Sequence, residues 1–163
     1  MKKIRICTCS NFHYVNTQIN IEKFPLLTYD EMINILGNNK IFSSIDLENA
    51  YLQLPIESSD LLVITTNKGL FRYRQLPFWL ASSPGIFQIY LQQMFTNIKG
   101  VCISLDNILV CGSTTDEHEN RLLLVLDKLS ESNIKINKKK CQINKDKLEF
   151  MGHTISRVGV SPN

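Results

Sequence analysis

Asp46 and Asp106 lie 60 residues apart, and each sits at the end of a run in which the residues alternate. From Ile41 to Leu47 the alternation places Ile41, Ser43, Ile45 and Leu47 on one face of a strand and Phe42, Ser44 and Asp46 on the other. Val101 to Asp106 alternates again, with Cys102, Ser104 and Asp106 on one side. Ile108 to Cys111 resumes after an Asp106-Asn107 corner, so a hairpin is expected with Asp106 at its tip. Antiparallel pairing could bring the two carboxylates together. Hard oxygen ligands from neighbouring strand ends are what a pair of Mg2+ ions needs for in-line phosphoryl transfer. Taken alone, an aspartate at a strand end is more often a turn residue.

The elements that must position these residues are well punctuated. Thr28 followed by Glu31 forms a capping box, and Met32, Ile33, Ile35 and Leu36 with Gly37 beyond them predict a short amphipathic helix. Leu61 to Thr66 and Leu70 to Arg74 flank Asn67-Lys68-Gly69, the mark of a hairpin, and this one carries Lys68, Arg72 and Arg74. Ser83 as cap and Pro84 at the first helical position open a long core helix. Its stripe is Ile86, Phe87, Tyr90, Leu91, Met94, Phe95 and Ile98, and Gly100 ends it. Thr114 and Glu117 form a second capping box, ahead of a stripe of Leu122, Val125, Leu126 and Leu129. Ile4 to Thr8 reads as a strand, Ser10 to Lys23 as a loop closed by Pro25, and Leu148 to Ile155 as one apolar strand. Six lysines crowd the segment from Lys135 to Lys147, a solvated turn or a track for a phosphate backbone in equal measure.

Bulk composition narrows the class. At 163 residues, 44% hydrophobic and 20% charged, the chain suits one globular domain with a real core. A net charge of +3 permits a polyanionic partner without proving one. Five cysteines form no CxxC pair, which favours free thiols in a reducing compartment over a zinc site. The N-terminal MKKIRICTCS lacks the apolar stretch of a signal peptide, and the apolar runs are far shorter than the ~20 residues of a membrane-spanning helix. A soluble, intracellular chain without a membrane partner is expected.

Five segments carry a more specific message: FPLLTYDEMINILGNNKIFSSIDLENAYLQLPI, GLFRYRQLPFWLASSPGIFQ, GVCISLDNILVCG, DEHENRLLLVLDKL and KINKKKCQINKDKLEFMGHTIS. In these words, their order and their spacing, the chain resembles the reverse transcriptase domain of gypsy-like LTR retrotransposons, from Arg5 nearly to the end. The resemblance implies an α+β fold: a palm with a ferredoxin-like antiparallel sheet and helices on one face, plus part of the fingers. It assigns 1–40 and 56–80 to fingers-like portions and 41–55 and 81–155 to the palm, within a single partial domain. It also implies roles. Asp46 and Asp106 match the catalytic, metal-binding aspartates, served by two Mg2+ ions, or Mn2+. Tyr51 matches the aromatic residue that excludes a 2′-hydroxyl, although unaided it would pass for a core aromatic. Arg5 matches the fingers arginine that meets the incoming triphosphate, a use suited to its forked donors. Phe78 and Trp79 fall at the nucleotide pocket, Met151, Gly152 and His153 at the primer grip, and Lys135, Lys138, Lys139 and Lys140 along the nucleic-acid backbone. The implied partners are an RNA or DNA template with its primer, deoxynucleoside triphosphates, and the protease, RNase H and integrase of a Pol polyprotein. The implied location is the cytoplasm or a virus-like particle.

The chain departs from the family at functional positions. Where the family has tyrosine, a variable residue and two aspartates, this sequence has Ser104, Leu105, Asp106 and Asn107. An asparagine oxygen can reach a metal but brings no charge. Trp79 stands in place of a glycine beside the nucleotide pocket, where its indole is expected to crowd the nucleotide. Cys9 and Ser10 replace an aspartate and an aromatic. The early fingers residues, the thumb and RNase H have no counterpart in the sequence, as expected of a fragment or a decayed copy. Three functions follow from these features: an impaired RNA-directed DNA polymerase, a non-catalytic nucleic-acid-binding remnant, or a pseudogene product.

Overall fold

A computed structural model describes residues 12–19, 28–57, 60 and 62–162. The strand expected at Ile4 to Thr8, together with Arg5, Cys9, Ser10 and Pro25, lies outside the described residues. The chain runs through α1 (His13–Gln18), α2 (Tyr29–Leu36), β1 (Ile41–Asp46), a 3-10 turn (Ala50–Gln53), β2 (Val63–Thr66) and β3 (Gly69–Arg72). It continues through α3 (Ser83–Phe95), β4 (Val101–Ser104), β5 (Asn107–Gly112), α4 (Thr115–Glu131) and β6 (Gln142–Lys145). Three short strands follow: β7 (Lys147–Phe150), β8 (His153–Ser156) and β9 (Gly159–Pro162).

The central sheet has the order β4-β5-β1-β6 and is antiparallel throughout. With α3 linking β1 to β4 and α4 linking β5 to β6, this is the split βαβ arrangement of a ferredoxin-like fold. Both faces of the sheet are covered, which is why β1 and β5 are buried along nearly their whole lengths. On one face Phe87, Leu91 and Phe95 of α3 and Leu122, Val125 and Leu129 of α4 pack with Ile45, Ile108 and Val110. On the other, Met32 and Leu36 of α2 and Leu148, Phe150 and Ile155 pack with Phe42, Leu109 and Cys111. The alternation read in β1 thus separates two cores rather than a core from solvent. α4 lies so close to β5 that a Cβ at Gly112 would stand 2.6 Å from the backbone nitrogen of His118.

The caps follow their sequence signals with one difference. Thr28 and Glu31 form the full reciprocal box at the start of α2. At α4, Thr114 accepts from the Glu117 backbone N–H, while the Glu117 carboxylate turns to the backbone N–H and hydroxyl of Ser113.

Three expectations require correction. Within the segment expected to be a loop, α1 forms because Phe12 is buried with its ring edge-on to Tyr73 at 5.5 Å, a tertiary anchor with no local signature. Leu148 to Ile155 is not one strand but the β7–β8 hairpin, turned by Met151 (φ 51°) and Gly152 (φ 71°). Both central residues take positive φ, as a type I′ turn requires. Finally, α3 stops at Phe95 rather than reaching Ile98. It is preceded by Ser82, and the Ser83 hydroxyl donates instead to the Pro77 carbonyl at 2.7 Å.

Candidate active site

Register places the two aspartates. β1 and β5 pair so that Asp46 lies opposite Asn107, and the Leu47 N–H donates to the Asp106 carbonyl at 2.9 Å. Ser104 pairs with Asn107, leaving Leu105 and Asp106 as a two-residue connection in which Leu105 takes φ 53°. A branched side chain rarely adopts that backbone, so the turn must be held. Gln88 of α3 holds it. Fully buried, it donates to the Ile103 carbonyl at 3.0 Å and accepts from the Leu105 N–H at 3.0 Å. The Asn107 side-chain amide donates to the Asp106 carboxylate at 3.2 Å.

A third wall comes from the chain after α4. Glu48 N–H donates to the Lys135 carbonyl at 3.0 Å, Leu47 bridges to Ile136, and Asn137 N–H donates to the Asp46 carbonyl at 2.7 Å. The Gln53 side chain clasps Lys135, donating to its carbonyl at 3.0 Å and accepting from its N–H at 2.6 Å. The lysine-rich segment is therefore laid along the end of β1, and the Lys140 ammonium stands 3.3 Å from the Asp46 carboxylate.

These walls enclose an open cleft of about 740 Å3, lined among others by Asp46, Glu48, Tyr51, Phe78, Asp106 and Lys138 to Lys140. Tyr51 is braced by Phe78 and Phe87, with ring centroids 5.3 and 5.5 Å away. Burial and the nearby Asp106 charge both raise its pKa, so its phenol stays neutral.

Other candidates lie elsewhere. Met151, Gly152 and His153 form the β7–β8 turn, on a separate three-stranded sheet, where Tyr29 packs on the His153 ring at 5.1 Å. Trp79 is 70% exposed and is not part of the cleft wall. Its backbone takes φ 69°, the left-handed region that glycine enters freely, and the Asn16 side chain braces it by bonding Trp79 O and Ala81 N–H. Lys68, Arg72 and Arg74 sit on the exposed β2–β3 hairpin and its flank, with Arg72 paired to Asp60 at 2.8 Å.

Sequence reasoning missed two buried polar residues. Gln88 occupies a buried position at helical spacing with Leu91 and Phe95, and His118 does the same with Leu122, Val125 and Leu129. A polar side chain in phase with an apolar stripe was the available signal. His118 Nε2 meets the Ser43 hydroxyl at 2.9 Å. That hydroxyl also accepts from the Asn144 N–H at 2.9 Å.

Among the described residues no three His, Cys, Asp or Glu side chains gather at one point. The donors at the paired strand ends are the Asp46 and Asp106 carboxylates with the Asn107 amide beside them. Hard oxygen donors of this kind fit Mg2+ or Mn2+, with less negative charge than three carboxylates would supply.

Residues 1–155 match the family described as reverse transcriptase (RNA-dependent DNA polymerase). The chain belongs to the reverse transcriptase family. It is 30% identical over 146 residues to the retrovirus-related Pol polyprotein from transposon 297 of Drosophila melanogaster, covering 87% of this chain and 14% of that protein. It is likewise 30% identical over 145 residues to the enzymatic polyprotein of cauliflower mosaic virus (strain Strasbourg), covering 87% of this chain and 21% of that protein. This reverse transcriptase domain thus spans only 14% and 21% of the length of these two polyproteins. Among solved structures, the foamy viral protease-reverse transcriptase in complex with double-stranded DNA superposes with a TM-score of 0.83 at 23% identity. That match covers 93% of this chain and 27% of the other, and it shares the α+β fold. No helix among the described residues is long and apolar enough to cross a membrane.

Proposed function

We propose that the chain is the palm, with part of the fingers, of an RNA-directed DNA polymerase whose two-metal site is impaired in this copy. In this reading 41–55 and 81–155 are palm, and 1–40 and 56–80 are fingers portions. One observation carries it: Asp46 and Asp106, at the ends of the paired β1 and β5 strands, both line one cleft. They would hold the divalent ions, with Mg2+ or Mn2+ supplying activation of a primer 3′-hydroxyl and neutralisation of the leaving phosphates. Tyr51, braced by two phenylalanines, would press on the sugar of a deoxynucleoside triphosphate. Lys138 to Lys140 would face the phosphates of the nucleotide or of the template and primer. The impairment follows from charge, since Asn107 contributes an amide where a carboxylate would strengthen cation binding. An intact element would add the protease, RNase H and integrase of its polyprotein.

The test is primer extension on a primed RNA or DNA template with Mg2+ or Mn2+, comparing the chain with Asn107→Asp/Trp79→Gly. We expect little or no incorporation by the chain and a gain on double reversion. Robust incorporation by the unaltered chain, abolished by Asp106→Ala, would overturn the impairment.

A second reading, a nucleic-acid-binding remnant without catalysis, is favoured by the lysines of the cleft together with the exposed Lys68, Arg72 and Arg74. It predicts binding that weakens steeply with salt and shows little sequence preference. Absence of binding at low salt would sink it.

A further inference from the structure

The Asp46 side chain is only 12% exposed, and a carboxylate so placed is costly unless a partner meets its charge. The partner is Lys140, whose ammonium stands 3.3 Å from Oδ2 while its own side chain remains 67% exposed. The approach is built into the backbone. The turn that delivers Lys140 is fastened to Asp46 itself, through the Asn137 N–H on the Asp46 carbonyl at 2.7 Å. The turn is then closed by the Lys140 N–H on the Asn137 carbonyl at 3.0 Å. Asp106 has an internal donor as well, the Asn107 amide at 3.2 Å. Asp46 and Asp106 are therefore each already engaged by a donor of the chain.

We propose that Lys140 is an intramolecular counter-cation for Asp46, competing with a divalent ion for that carboxylate and lowering the cation affinity of the cleft. The inference rests on the reading of Asp46 and Asp106 as metal ligands. A divalent ion brings twice the charge of an ammonium and takes carboxylate oxygens directly into its coordination shell, so it displaces Lys140 at sufficient concentration. The displaced side chain, mostly exposed, returns to water at little cost. The Asp46 carboxylate thus has two states, one paired to the lysine and one available to the metal, and the balance between them is set by a residue that need not touch the metal.

The experiment is Mn2+ titration of the full chain, followed by electron paramagnetic resonance of the free ion, for the unaltered protein and for Lys140→Gln, Lys140→Arg, Lys99→Gln and Asp46→Asn. Thermal melts confirm folding of each. Lys140→Gln is expected to bind Mn2+ about threefold more tightly or better, the scale of a partly exposed ion pair. Lys140→Arg, which keeps the charge, and Lys99→Gln, which removes one on an exposed turn away from the cleft, are expected to stay near the unaltered value. Equal affinity of Lys140→Gln and Lys99→Gln would overturn the proposal, as would tighter binding by Lys140→Arg. If the unaltered chain binds Mn2+ and Asp46→Asn binds it equally well, the ligand reading itself fails and the proposal fails with it.

Discussion

Two regions of this domain carry the residues read from the sequence as departures from the family pattern, and their backbones differ. At the paired ends of β1, β4 and β5, Ser104 and Asn107 occupy regular strand positions, in register with each other and with Asp46. Their substitution alters charge and ring content while the backbone continues undisturbed. At the turn before α3, Trp79 adopts φ 69°, a conformation suited to glycine, yet the residue lies 70% exposed and outside the cleft wall. There the change is stored in the backbone. A paired strand end tolerates almost any side chain that fits, whereas a turn needing positive φ is sensitive to residue type even in open solvent.

The comparison can be broken most forcefully at Gln88. Gln88→Leu would leave the Ile103 carbonyl and the Leu105 N–H without their partner, and we expect a loss of about 2–3 kcal/mol, measured by urea unfolding. A loss below about 0.5 kcal/mol would mean that the strand ends hold the Leu105-Asp106 turn unaided.

Trp79→Gly tests the other side. Relief of the left-handed strain should stabilise the fold by about 1 kcal/mol, raising the melting temperature by roughly 2–4 °C. A lower melting temperature would show that the indole contributes packing that outweighs the strain.

The smallest effect sharpens the picture of the strand pair from behind. Burial chiefly, and the Arg121 charge, lower the pKa of His118, against the opposing pull of Glu119. The folded state therefore binds this proton less readily than the unfolded chain does. Stability is fully present above the ordinary histidine value of 6.5 and declines as pH falls below it toward the folded value. In the imidazolium both ring nitrogens carry protons, so Nε2 could only donate to Ser43. Melts between pH 7.5 and 5 should show this decline weakened in His118→Gln, and an unchanged slope would assign it to other groups.

Much of this was legible in the chain itself. The alternation around Asp46 and Asp106, the Thr28 box, the Ser83-Pro84 start and the α4 stripe are local patterns, because helix and strand periods are properties of neighbouring residues. They determined the order of elements, and with the family motifs they pointed to Asp46 and Asp106 as the candidate carboxylates. Other features had no local expression. The hairpin at Met151-Gly152 lacks the usual Asn-Gly signal, and α1 exists because Phe12 finds Tyr73 across the fold.

The sequence by itself determined which residues carry the charge of the site and on which strands they stand. Only the tertiary structure decided that Gln88 would brace the turn, that Lys140 would come down on Asp46, and that Trp79 would bear a glycine's backbone while standing clear of the cleft. The physical reason is distance along the chain. Lys140 and Asp46 are 94 residues apart, and no pattern read within a few helical turns can bring together groups that meet only when sheet edge and turn are packed.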